Sequence, residues 1–182
     1  MPAVTLVQAT GDGVAPVESS GTASPSFSSR VVPEGKASFG NRLSPLLGEI
    51  CGDARIRAVV IMPALEGTVG VVAASKTQKP GLIWILARSQ DEALGAEAAA
   101  DLVVDLATDE KDQPRFHSAL AQGLCELARR VITGKARIED RNEIQAALRS
   151  VGGFDWKVEY RTDPVTGIKA RNHVIVSATS RK

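Results

Sequence analysis

Residues 56–87 read IRAVVIMPALEGTVGVVAASKTQKPGLIWILA, and the division of this stretch decides the fold. Three runs rich in Val and Ile stand out, over 56–62, 68–74 and 82–87. The segments between them, 63–67 and 76–81, carry Pro and Gly, the residues that punctuate turns. Connections this short predict an antiparallel meander, because a parallel crossover needs a dozen or more residues. The third run is apolar at consecutive positions over 82–86, which places it centrally in the sheet.

Toward the C-terminus the period lengthens and then shortens again. Asp112 and Pro114 open a segment in which Phe116, Ala119, Leu120, Gly123, Leu124, Leu127, Ala128 and Val131 recur at i, i+3, i+4 spacing. This predicts an amphipathic helix, with Arg129 and Arg130 in its last turn and Gly134 as its stop. A second helix is expected from about Glu139, with Ile144, Ala147, Leu148 and Val151 on one side and Gly152-Gly153 at its end. From there the period is two: Phe154, Trp156, Val158 and Tyr160 alternate with Asp155, Lys157, Glu159 and Arg161. The DPVTG run over 163–167 has turn chemistry, Pro fixing one corner and Gly allowing positive φ at the exit, so residues 168–178 return as the second strand of a hairpin.

Between the meander and the helices lies an acidic stretch, 91–112. Leu94, Ala98, Leu102 and Leu106 recur every four residues, as do Glu97, Asp101, Asp105 and Asp109. One helix with an acidic stripe accommodates both sets; the alternative makes 101–107, DLVVDLA, a strand. On the N-terminal side, Ser44-Pro45 predicts a short helix with Leu46, Leu47 and Ile50 inward and Gly52 as its end. Residues 11–30 are dominated by Gly, Ser, Thr and Pro and bury too little apolar surface to offset ordering entropy. Residues 1–30 are therefore read as a flexible arm, within which 3–7 form a short apolar run able to add a strand, and 31–182 as one domain. The expected fold is α+β: an antiparallel sheet of a three-strand meander plus the C-terminal hairpin, covered on one face by about three helices.

The 182 residues, 43% hydrophobic and 24% charged, suffice for a core without metal or disulfide staples. Two cysteines, Cys51 and Cys125, in apolar patterns read as free buried thiols, and with only His117 and His173 besides, no metal site and no cofactor is expected. No stretch reaches 18 apolar residues and the first ten lack a basic region, so a cytoplasmic protein without membrane contact is expected. The net charge of +1 conceals a segregation. Residues 91–112 hold eight acids against one base, −7, and the other 160 residues hold 21 bases against 13 acids, +8.

Catalytic signatures are missing. Residues 70–77, GVVAASKT, match a phosphate-binding loop except that Ser75 replaces its second glycine, and they fall on an expected strand rather than between a strand and a helix. His117 falls off the apolar stripe and His173 on the polar face of the hairpin, both read as solvated and neither with an evident partner. Phe154, Trp156 and Tyr160 crowd one strand face. A stacking platform for nucleic acid would want bases on that same face, so core packing is the better reading. These observations point to a non-enzymatic interaction or assembly protein, which self-associates or docks on a larger complex. Its partner-binding residues are expected to be Lys157, Arg161, Lys169 and Arg171 of the basic hairpin and Glu97, Asp101, Asp105 and Asp109 of the acidic helix. Nucleic acid bound to the basic face is the alternative partner.

Overall fold

The structure, a computed structural model, describes residues 3–9, 27–89, 99–107 and 113–180. Among them are seven strands: β1 (Val4–Ala9), β2 (Ser28–Val32), β3 (Ala58–Met62), β4 (Ile83–Ser89), β5 (Leu102–Leu106), β6 (Phe154–Thr162) and β7 (Lys169–Ser180). Four helices accompany them: α1 (Phe39–Cys51), α2 (Thr68–Gln78), α3 (Gln113–Ile132) and α4 (Arg141–Arg149). The strands form one sheet in the order β2-β1-β3-β4-β5-β7-β6. Every neighbouring pair is parallel except β6 with β7.

This overturns the antiparallel meander. β3 and β4 are adjacent and parallel, Val59 opposite Trp84 and Ile61 opposite Leu86. Parallel neighbours need a crossover, and residues 68–74, read as the middle strand, form most of α2 instead. The β-branched Thr68, Val69, Val71 and Val72 disfavour a helix by only a few tenths of a kcal/mol each. Burying Thr68, Val72 and Ser75, one face at helical spacing, outweighs that preference. The loop-like match over 70–77 lies inside this helix, where its backbone N–H groups serve the helix and cannot cradle a phosphate.

Helices cover both faces of the sheet, not one. Strand alternation sends Val7, Val59, Ile61, Trp84, Leu86 and Val103 toward α1, and Leu6, Val60, Ile85, Leu102 and Val104 toward α3. α1 starts six residues earlier than its Ser44-Pro45 signal. Ser38 caps it, accepting from Asn41 N at 3.3 Å, and Phe39, Leu43, Leu46, Leu47 and Ile50 form its buried stripe, leaving Pro45 inside the helix on the exposed side. α3 occupies the range its spacing predicts and lies against β1, β3 and β4. Gly123 lets α4 approach it: a Cβ there would sit 2.5 Å from Leu148 Cδ2. Asp140 caps α4, accepting from Asn142 N at 2.9 Å and Glu143 N at 3.4 Å. Of the segment read as an arm, Val4–Ala9 is an interior strand and Ser28–Arg30 belong to an edge strand; residues 10–26 lie outside the described residues.

The starts of α1 and α2 meet backbone to backbone. A Cβ on Gly40 would lie 3.0 Å from Gly67 Cα, and Gly67 itself has φ +89°. Gly40→Ala is expected to destabilise the protein by about 1–3 kcal/mol, since the obstacle is main chain and cannot swing aside. Gly70→Ala, with open space around its Cβ inside α2, is expected to stabilise by about 0.5–1 kcal/mol. Urea unfolding of the two variants checks both signs. Thiol titration checks the core: Cys125 is fully buried in α3 and burial pushes its thiol well up, whereas Cys51 is half-buried. An aromatic disulfide reagent is expected to modify Cys51 alone in the native protein and both thiols after denaturation.

Candidate functional site

Three titratable side chains, Asp105, Arg161 and His173, meet where β7 enters the sheet. Its pairing with β5 sets Val103 opposite His173 and Asp105 opposite Ile175, so the Asp105 and His173 side chains share one face of adjacent strands. Asp105 Oδ2 lies 2.7 Å from His173 Nε2 and accepts from Arg161 Nη1 at 3.0 Å. His173 is 0% and Asp105 1% exposed, while the Arg161 side chain is about one-third exposed. The arrangement joins β5, β7 and β6 through one carboxylate. A carboxylate between a guanidinium and an imidazole keeps its charge compensated in the interior. Sealed from solvent, the pair offers no surface on which a substrate could meet the imidazole.

The described half of the acidic stripe, Asp101 and Asp105, is not on a helix. Leu102–Leu106 is strand β5, the alternative reading of the stretch. Asp101 N donates to Trp84 O at 2.9 Å and Asp101 Oδ2 accepts from Trp84 N at 2.8 Å, clasping the entry of β5 to β4. Asp105 is buried as described, and Glu97 and Asp109 lie outside the described residues. A spacing of four fails to discriminate here, because it is close to one helical turn and is also two strand periods.

The basic hairpin residues do not form one patch either. Lys157 stands in solvent beside Glu159, 3.4 Å from its Oε1. Arg161 turns to Asp105, whereas Arg171 reaches Glu139 at 3.5 Å on the side of the sheet where the Tyr160 hydroxyl donates to Glu139 O. Lys169 is exposed at the start of β7. A shift in register between Tyr160 and Thr162 separates the two arginines. Phe154 and Trp156 are buried, their rings 6.2 and 5.6 Å from that of Phe116 on α3, so they are core and not a stacking platform. His173 is not on a solvated face, and His117 is half-buried beside Phe116, where burial holds its pKa below the ordinary value.

Sequence reading placed the turn of the hairpin but not its exposed aliphatic side chains. Pairing of β7 with β5 begins only at His173, so residues 163–168 lie beyond the first row of β5. The turn is held by its own hydrogen bonds. Asp163 Oδ1 accepts from Val165 N at 2.8 Å and Thr166 N at 3.2 Å, Gly167 N donates to Asp163 O at 2.8 Å, and Asp163 N donates to Ile168 O at 2.9 Å. This closed turn carries Val165 at 90% and Ile168 at 69% exposure. The signal was two β-branched aliphatic residues in a segment whose turn chemistry already put it in water.

Among the described residues no group of three or more His, Cys, Asp or Glu is placed to hold a metal ion, and no helix is long and apolar enough to cross a membrane. One family model, bearing no functional description, matches residues 121–179, from within α3 into β7. No curated protein and no solved structure matches the chain.

Asp105→Ala leaves a buried imidazole and a guanidinium without their common acceptor. It is expected to lower the unfolding free energy by about 3–5 kcal/mol, and Asp105→Asn, which still accepts from Arg161, by less. Urea unfolding monitored by tryptophan fluorescence measures both. A loss under about 1 kcal/mol for the alanine variant, the scale of a surface ion pair, would remove Asp105 from this role.

Proposed function

We propose that this chain is a non-enzymatic interaction protein that docks on a larger protein assembly through the tip of its C-terminal hairpin. The observation that carries the reading is the hydrogen-bonded turn over 163–168, which holds Val165 and Ile168 in solvent outside the sheet. Scattered exposed aliphatics are ordinary. Two of them on one closed turn, fixed by four hydrogen bonds that need no partner, are preorganised to enter a pocket with little loss of entropy.

The flanking charge suggests the partner's chemistry. Lys169 follows the tip and is exposed, so the matching surface is an apolar depression with an acidic residue at its rim. A polyanion is a poorer fit to the same residues. Arg161 is committed to Asp105, Arg171 lies on the other side of the sheet, and Lys157 has Glu159 beside it.

The tip residues contribute nothing to the core, so Val165→Ser with Ile168→Ser is expected to leave stability within about 0.5 kcal/mol of the original. Sedimentation of the full chain in its native extract tests the function. The unmodified protein is expected in particles well above twice its own 19.2 kDa, and the double variant at no more than twice that mass. An unmodified protein that sediments at no more than twice 19.2 kDa, or a variant that stays in the larger particles, overturns the reading.

A further inference from the structure

We infer that β6 is a self-complementary edge through which two copies of this chain pair antiparallel, centred on Val158. β6 is the terminal strand of the sheet and spans nine residues. The Val176 carbonyl accepts from Ala107 N beyond the end of β5, so on β7 the backbone groups of Ile175, Ser177 and Thr179 turn toward β6. Their partners Glu159, Lys157 and Asp155 turn inward to meet them. The outward row of N–H and C=O groups therefore belongs to Trp156, Val158 and Tyr160, the template an added strand reads.

The exposed side chains of this strand select its partner. They are Asp155, Lys157 and Glu159, on the face opposite the one buried against α3 and α4, with Arg161 part-buried against Asp105 on that same face. In an antiparallel pair centred on Val158, Lys157 of one copy faces Glu159 of the other on both sides of the centre, so each of these pairs is of opposite charge. Moving the centre to Lys157 sets Lys157 against Lys157, and moving it to Glu159 sets Glu159 against Glu159. On the other face the same register brings Val158 to Val158 and Trp156 to Tyr160. Only outward-turned residues meet outward-turned residues across the centre, as the ladder requires.

Two side chains of α4 already sit on this edge: Gln145 Nε2 donates to Trp156 O at 3.0 Å and Arg141 Nη1 to Val158 O at 3.5 Å. Both are long and belong to residues that are not buried. A second β6 replaces each of these donors with a backbone N–H, so the carbonyls remain satisfied when the side chains move off. The inference does not rest on the docking of the hairpin tip, because residues 163–168 lie outside the paired nine.

Sedimentation equilibrium of the full chain at low and high ionic strength tests it. The unmodified protein is expected to form a dimer that weakens with salt. Lys157→Glu turns two symmetric attractions into repulsions and is expected to weaken the dimer roughly tenfold, as Glu159→Lys does. The combined Lys157→Glu/Glu159→Lys variant restores every pairing and is expected within about twofold of the original. Lys157 and Glu159 side chains are 71% and 59% exposed, so folding is unaffected, and the swap itself controls for it. The Val165→Ser/Ile168→Ser variant is expected to dimerise as the original does, which separates this surface from the tip. A monomer at low ionic strength, or a charge swap no tighter than the single variants, overturns the inference.

Discussion

A parallel pair of strands cannot be joined by a tight turn, and the rest of this molecule follows from that constraint. β1, β3, β4 and β5 run side by side in one direction. The chain must return across a face of the sheet to begin each next strand. α1 makes that return between β2 and β3, and α2 between β3 and β4. Helices on both faces then bury every described side chain of β3 and the centre of β4. With the middle of the sheet closed on both sides, solvent reaches backbone and side chains together mainly at the two ends of the strand order. Among the described strands, the open edges are therefore β2 and β6.

The hairpin enters this scheme in an uncommon way. β7 lies between β5 and β6, parallel to one and antiparallel to the other. An interior strand is covered on both faces, so a polar residue in it must find its partners inside. His173 finds Asp105, and Asp105 finds Arg161. The three side chains come from three adjacent strands, and their contacts form only when β7 sits at its observed register. A register slip by one residue would turn His173 to the other face and leave Asp105 buried without it. These contacts therefore favour the observed register over its one-residue slips.

Much of the local structure was legible in the sequence, and the sheet's direction was not. The helix over Gln113–Ile132 announces itself by eight apolar positions, and the hairpin by strict alternation and a DPVTG turn. These signals are local. The direction of β3 against β4 depends on whether residues 68–78 form a helix, and their Val and Thr content favours a strand by less than packing favours the crossover. The same limit affected the site. Asp105 and His173 are 68 residues apart, so their contact has no sequence signature. What was readable is that His173 precedes Val174, Ile175 and Val176, a run without alternation, which marks a strand buried on both faces. A histidine beside such a run belongs inside.

The two ends of the sheet are finished differently, and the difference bears on which one meets a partner. β2 is five residues long, and its hydroxyl groups turn to its neighbour: Ser28 Oγ lies 2.8 Å from Thr5 Oγ1, and Ser29 Oγ accepts from Gln8 Nε2 at 2.7 Å. Its single charge, Arg30, is paired with Glu49 of α1. A short edge presents little to another chain. β6 is nearly twice as long and carries four alternating charges, two of each sign. Charges on an edge usually deter pairing because they meet like charges in most registers. On β6 their order, acid, base, acid, base, reads as its own complement when the strand is reversed. The side chains that oppose the two adjacent registers therefore favour the one centred on Val158, and the specificity lies in their sequence rather than in their number.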